Sequence, residues 1–226
     1  ITMRKIGFIT GLETEAIILQ KIVHYAKSEI IWVGNKQGSA YTQANTLVKN
    51  GCEILISFGI AGALDPQLSA GDLVIPKSVT DAECNTFSTD YNLYQKISRH
   101  FSNKFKVSGG TLFGSETIIW DADEKKRLFN KYNTKIVDME SFGVARAANE
   151  NNCSFLIVRS ISDTANQNLP KESLKSIDLN NNIKIRNILI DLAKHPNELP
   201  SLLRLAKNSR KAHICLQKVA KLGFGI

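Results

Sequence analysis

Cys52 to Phe58 and Phe155 to Val158 are apolar runs without the polar and apolar alternation of a strand that has one wet face. Strands of that kind sit in the middle of a sheet with both faces covered, so the chain has to stack helices on either side of it. Strand-like and helix-like segments alternate along the sequence, which specifies an α/β fold in three layers, a mixed central sheet flanked by helices. Glycines interrupting several of the strands, as at Gly109-Gly110, point to a strongly twisted or barrel-like sheet.

In chain order, Lys5 to Thr10 reads as a strand, Thr14 to Lys27 as a helix, Glu29 to Val33 as a strand and Gly38 to Asn50 as a helix closed by Gly51. The run from Cys52 passes into Gly59-Ile60-Ala61-Gly62-Ala63-Leu64, small residues that let a ligand or a neighbouring group approach the backbone. Strands follow at Leu73 to Ile75 and Lys106 to Gly114, with helices at Tyr91 to Phe101 and Asp121 to Tyr132. Then come a strand at Ile136 to Asp138, a helix from Met139 to Asn151 and a strand at Ser154 to Ile161. Helices near Ile183 to Lys194 and Leu199 to Leu222 finish the chain.

At 226 residues a single domain, 1–226, is expected, with a core large enough to need no staples. Cys52, Cys84, Cys153 and Cys215 lie far apart with no CxxC spacing, as expected of reduced thiols in a cytoplasm. No run is apolar and long enough to span a bilayer. His24, His100, His195 and His213 are scattered, so no metal site is expected, and the Walker, GxSxG and dinucleotide patterns are missing.

What remains is a set of acids at strand ends, where α/β proteins bind ligands. Asp163 follows Ile161-Ser162 at the end of an apolar strand: it is a turn former or helix N-cap, or it donates a proton. Glu140, in Val137-Asp138-Met139-Glu140-Ser141, suits the positive end of a helix dipole, or accepts hydrogen bonds from sugar hydroxyls. Glu13 and Glu15 are two apart at a helix start and point to opposite sides, so at most one faces a site.

Ser57-Phe58-Gly59-Ile60-Ala61-Gly62-Ala63-Leu64 with Gly71-Asp72-Leu73-Val74, then Val137-Asp138-Met139-Glu140, then Arg159-Ser160-Ile161-Ser162-Asp163 resemble, in order, the motifs of the purine nucleoside phosphorylase and nucleosidase superfamily. The opening as far as Glu15 is similar to the methylthioadenosine/S-adenosylhomocysteine nucleosidases. Ile60 to Pro66 and the tail around Leu199-Pro200-Ser201-Leu202 resemble the hopanoid-associated phosphorylases, which remove adenine from adenosylhopane. The resemblance implies cleavage of the N-glycosidic bond of a purine nucleoside. Glu15 and Asp163 are then catalytic, the one activating water and the other protonating the purine. Glu140 holds the ribose hydroxyls, Met139 lies beneath the sugar, and Gly62, Ile119 and Ser162 complete the substrate contacts. Where the nucleosidases stack an aromatic ring on adenine, this chain has Ile118, with Trp120 close by.

The nucleophile is water or phosphate, the latter a co-substrate; no cofactor is implied. A phosphorylase needs arginines or an amide nest for the anion, and Glu15 would repel it. Arg159 binds an anion or pairs with Glu140. The expected substrate is adenosylhopane, the alternative is a methylthioadenosine/S-adenosylhomocysteine nucleosidase, and the alternative of another class is a catalytically silent nucleoside-binding or membrane-associated protein. Relatives of this kind assemble, so a homo-oligomer is expected.

The net charge of +8 belongs largely to the tail: no acid follows Glu198, while Arg204, Lys207, Arg210, Lys211, Lys218 and Lys221 do. Leu205, Ala206, Ser209, Ala212, Leu216, Val219 and Ala220 form one helical face. A basic amphipathic helix at about 199–222 either packs on the body with a solvated basic side or rests on anionic lipid. The protein is expected in the cytoplasm, at the inner membrane surface in the second case. Nucleic acid is not an expected partner, because the basic stretch lacks interleaved aromatics.

Overall fold

The computed structural model describes residues 4–22, 28–34, 37–171 and 196–225. Its elements are β1 (Ile6–Thr10), α1 (Glu13–Ile22), β2 (Ser28–Trp32), α2 (Gln37–Lys49), β3 (Ile54–Ala63), β4 (Leu73–Val74), β5 (Ser78–Thr80), β6 (Thr86–Ser88), α3 (Tyr91–Ser102), β7 (Val107–Ser108), β8 (Thr111–Gly114), α4 (Ala122–Tyr132), β9 (Ile136–Asp138), α5 (Ser141–Glu150), β10 (Ser154–Asp163), and α6 (Leu199–Leu222), entered by a short 3-10 turn at Pro196–Glu198. The helix expected near 183–194 lies outside the described residues.

The strands form one mixed sheet in the order β6-β5-β8-β9-β3-β10-β4-β7, with β1 joined to β3 and β2 to the far edge of β1. β3 and β10 lie side by side in parallel, Ile54 beside Ser154 through Arg159 beside Gly59. Alternation along the pair sorts its side chains. Leu55, Phe155 and Ile157 join Ala40, Ala44, Val144 and Ala148 in the core under α2 and α5. Ile54, Ile56, Phe58, Leu156 and Val158 join Ile18, Leu19, Ile97, Phe101, Leu216 and Val219 in the core under α1, α3 and α6. A smaller cluster of Leu64, Phe113, Leu128 and Val137 seats α4. Two cores on either side of one sheet are what the unalternated runs require.

The structure departs from the sequence reading where short-range geometry decides. The strand expected over Lys106 to Gly114 is two strands with different partners, β7 beside β4 and β8 between β5 and β9. The chain turns between them at Gly110, whose φ of +115° most side chains avoid. β5 and β6, three residues each, form an antiparallel hairpin too short to show a period. The helix expected from Met139 starts at Ser141, because the Asp138 carboxylate accepts from the amides of Glu140 (3.2 Å) and Ser141 (3.0 Å) and caps it there.

α6 packs on β10, α1 and β3. Its buried side chains are Asn208, Ala212, Cys215, Leu216, Val219 and Ala220, so the face is rotated from the expected one: Ala206 is exposed, and Asn208 and Cys215 are inside. The cations Arg204, Lys207, Arg210, Lys211, Lys218 and Lys221 are all exposed. Among the described residues, no helix is long and apolar enough to cross a membrane. All four cysteines are free.

Candidate active site

β3 changes partner along one edge. It pairs with β1 from Ile54 to Ser57 and with β9 at Gly62 and Ala63, while β10 follows its other edge. Between the two partners the edge is open, and one carboxylate enters the opening. Glu15, in the first turn of α1, accepts from the Ile60 amide through Oε1 (2.8 Å) and from the amides of Gly11 (3.1 Å) and Leu12 (2.9 Å) through Oε2. Glu15 is buried and Glu13 exposed, the opposed orientation that their spacing requires. Burial pushes the Glu15 carboxyl above its usual range, against the pull of Arg159 and of the amides.

Arg159 is the hub. It has no solvent exposure and stands on the α5 side of the sheet, the same face as Ser57, two residues back from its register partner Gly59. Its Nε donates to Asp138 Oδ2 (2.6 Å). Its Nη2 donates to Ser57 Oγ (2.7 Å) and Ser141 Oγ (3.1 Å) and lies 3.3 Å from Glu140 Oε2. Ser141 also donates its hydroxyl to Asp138 Oδ2. Among the described residues, Nη1 has no hydrogen-bond partner. It lies 2.6 Å, and both Glu15 oxygens 2.7 Å, from the point where a Cβ on Gly59 would sit. Of the two readings of Arg159, the pairing is therefore what the structure contains. Asp138 is the nearer acid, and Glu140 is second.

Three buried acids thus surround one guanidinium. Burial and the adjacent Asp138 carboxylate push the Glu140 carboxyl up to about 8, so near neutral pH it is poised between donating a hydrogen bond and carrying charge. Arg159 keeps its proton: burial works against the charge, and Asp138, Glu140 and Glu15 outweigh it.

Asp163 closes β10 three positions after Ser160, beyond a register shift that sets it opposite Gly62. It is not a helix cap. Its Oδ1 accepts from Ser162 Oγ (2.8 Å), and its Oδ2 accepts from Lys125 Nζ (2.5 Å), an ion pair buried at both ends. A Cβ on Gly62 would come within 3.0 Å of the same Oδ2. The Ser162 hydroxyl also reaches the Ala61 carbonyl (3.2 Å). Met139 is half-buried between Asp138 and Glu140, and Ile119 packs on the cluster of Leu64, Phe113, Leu128 and Val137.

The fold therefore gathers Glu15, Glu140, Gly62, Ser162 and Asp163 around the ends of β3 and β10. Sequence reasoning gave no role to four residues that hold this set in place. Ser57 and Ser141 are the hydroxyls that bind Arg159, and Asp138 its main counter-charge. Lys125, with no solvent exposure, is the cation on Asp163. A signal for it existed: Lys125 occupies the stripe of Leu128, Phe129 and Tyr132, the apolar face of α4.

The description of the family model that matches residues 8–193 is Phosphorylase superfamily. The chain is 27% identical to 5'-methylthioadenosine/S-adenosylhomocysteine nucleosidase of Buchnera aphidicola subsp. Baizongia pistaciae, an alignment covering 86% of this chain and 93% of the relative. The nucleosidase of the same name from Neisseria meningitidis, solved with methylthio-immucillin-A, superposes with a TM-score of 0.75 at 14% identity, covering 99% of this chain and all of that one. Futalosine hydrolase of Helicobacter pylori gives a TM-score of 0.71 at 13% identity over 96% and 97% of the two chains. The structural neighbours share the fold, and the family match spans most of the sequence: the chain belongs to the Phosphorylase superfamily and is an enzyme of it.

Proposed function

We propose that the protein hydrolyses the N-glycosidic bond of an adenine nucleoside carrying a 5′-thio substituent, in the manner of a methylthioadenosine/S-adenosylhomocysteine nucleosidase. The relatives named above favour this reading over the adenosylhopane substrate expected from the sequence.

One observation carries the choice of water over phosphate. The amides of Gly11, Leu12 and Ile60, which could have formed an anion nest, all donate to the Glu15 carboxylate. An arriving phosphate would meet a buried acid where it needs donors. The same carboxylate, raised by burial, suits a general base for water. Nη1 of Arg159, without a hydrogen-bond partner among the described residues, stands beside it and can orient that water.

In this reading Glu140 holds the ribose hydroxyls, and its ionised form complements the positive charge that grows on the sugar as the bond breaks. Met139 supports the sugar. Asp163, reached over the backbone of Gly62, faces the departing purine. Phe113, Leu128, Val137 and Ile119 give the base side an apolar floor.

The test is to incubate the protein with methylthioadenosine, S-adenosylhomocysteine and adenosine, each with and without phosphate, and to identify the sugar product. Free adenine with the unphosphorylated thio-sugar, independent of phosphate, is expected. A sugar 1-phosphate would replace the hydrolase reading with a phosphorylase one.

A further inference from the structure

The ammonium of Lys125 is fully coordinated. Its three protons meet three acceptors: Asp163 Oδ2 at 2.5 Å, the Thr164 carbonyl at 3.0 Å and the Gln167 carbonyl at 3.1 Å. The frame around it is held from two sides. The N-terminus of α4 is tied to the segment after β10, with the Ala122 amide donating to Asn168 Oδ1 (2.8 Å) and the Leu169 amide to the Trp120 carbonyl (2.7 Å). Asn208 of α6 donates to the Gln167 side chain (3.0 Å).

This arrangement changes the chemistry available at Asp163. A carboxylate that receives a lysine ammonium on one oxygen and a serine hydroxyl on the other is the acceptor of both. Departure of the base requires the opposite. When the C1′–N9 bond breaks, its electron pair leaves with the purine, which becomes neutral only by taking up a proton on a ring nitrogen. Among the groups bonded to Asp163, Lys125 carries the surplus proton.

Building on the purine-cleaving reading, we propose that Lys125 supplies the leaving-group proton through Asp163. Asp163 hands a proton to the base nitrogen as the ammonium hands one to Asp163. The base leaves neutral, Asp163 ends as it began, and Lys125 is left an amine until a solvent proton restores it. Lys125 touches no substrate atom in this scheme and is a positioning residue that also stores the proton. The competing account is a lysine that only pins the loop from Thr164 to Gln167.

Lys125→Gln separates the two, because its amide still donates to a carboxylate or a carbonyl but has no proton to transfer. With an adenine nucleoside, kcat is expected to fall by about 10²-fold or more with KM unchanged, the size of a lost general-acid contribution. With the N7-methylated nucleoside, whose base departs neutral without protonation, the deficit should vanish. Lys125→Met, measured alongside, should share the loss on the first substrate. Glutamine restoring turnover that methionine lacks, or an equal loss on both substrates, would overturn the proposal in favour of the loop pin. No purine release by the unmodified protein would overturn the nucleosidase reading and this one with it, whereas an active parent with an unimpaired Lys125→Gln variant removes only the proton-supply role.

Discussion

Arg159 Nε lies 2.6 Å from Asp138 Oδ2, both side chains out of reach of solvent, and this pair carries the site on its far side: the same guanidinium reaches Glu140 and stands beside Glu15. Desolvating the ions is costly, so what the pair contributes is arrangement more than stability. It fixes the end of β9 and the start of α5 against β10.

Removing the cation leaves buried acids without a counter-charge. Arg159→Met is expected to destabilise the fold by about 3–5 kcal/mol, read by urea denaturation. Arg159→Lys should also lose activity, since one ammonium cannot serve Asp138, Ser57 and Ser141 with the planar fork that reaches all three. Wild-type stability in the methionine variant would show that the acids are not charged in the resting protein.

Gly59 leaves no room beside Arg159 and Glu15. A methyl group there would stand 2.6 Å from Arg159 Nη1 and 2.7 Å from both Glu15 oxygens. Gly59→Ala should cost about 1–3 kcal/mol by overpacking and should lower purine release much more, because it displaces the two groups proposed to hold the water. Thermal melting and steady-state assays on one preparation check this; loss of stability with full activity would place the water elsewhere.

The raised Glu140 carboxyl has a signature in pH. The unfolded chain releases this proton near 4.5 and the folded one near 8. Between those values the folded state binds more protons, so its stability falls as pH rises through the window. In Glu140→Gln there is no proton to lose, and the decline in melting temperature from pH 5 to pH 8 should be shallower than in the wild type. Parallel curves would mean that Glu140 is ionised across the range.

Glu15→Gln and Asp163→Asn should each lower adenine release by about 10²-fold or more, with different effects on folding. Glutamine leaves one of the three amides at Glu15 facing an NH₂ group. Asparagine strips the charge from the partner of a buried ammonium and should lower the melting temperature as well, an outcome that a helix-cap role for Asp163 would not produce.

Much of this was legible from the sequence, for physical reasons. The unalternated runs at Cys52 and Phe155 could only be central strands, and Asp138, Glu140 and Asp163 sit at strand ends that any α/β topology brings to one side. The division between Glu13 and Glu15 followed from helical spacing alone. What could not be read is how charges pair in three dimensions. The stripe of α4 says that Lys125 turns inward, but nothing local names Asp163, 38 residues later, as the acid it meets, or says that Ser57 interrupts its apolar run to bind Arg159. The interruption at Gly109-Gly110 was legible, while the β5–β6 hairpin escaped for a simpler reason, having too few residues for a period.

The exchange of strands along β3 has a consequence for how the molecule comes apart. The opening is bounded by a strand from the first ten residues on one side and by one from residue 136 onward on the other. Whatever settles there bridges a seam between the beginning and the middle of the chain, and its binding energy resists the separation of both at once. A well-fitting occupant should therefore act as a clasp on the whole fold, raising a single melting transition where a surface ligand would only stiffen its own neighbourhood.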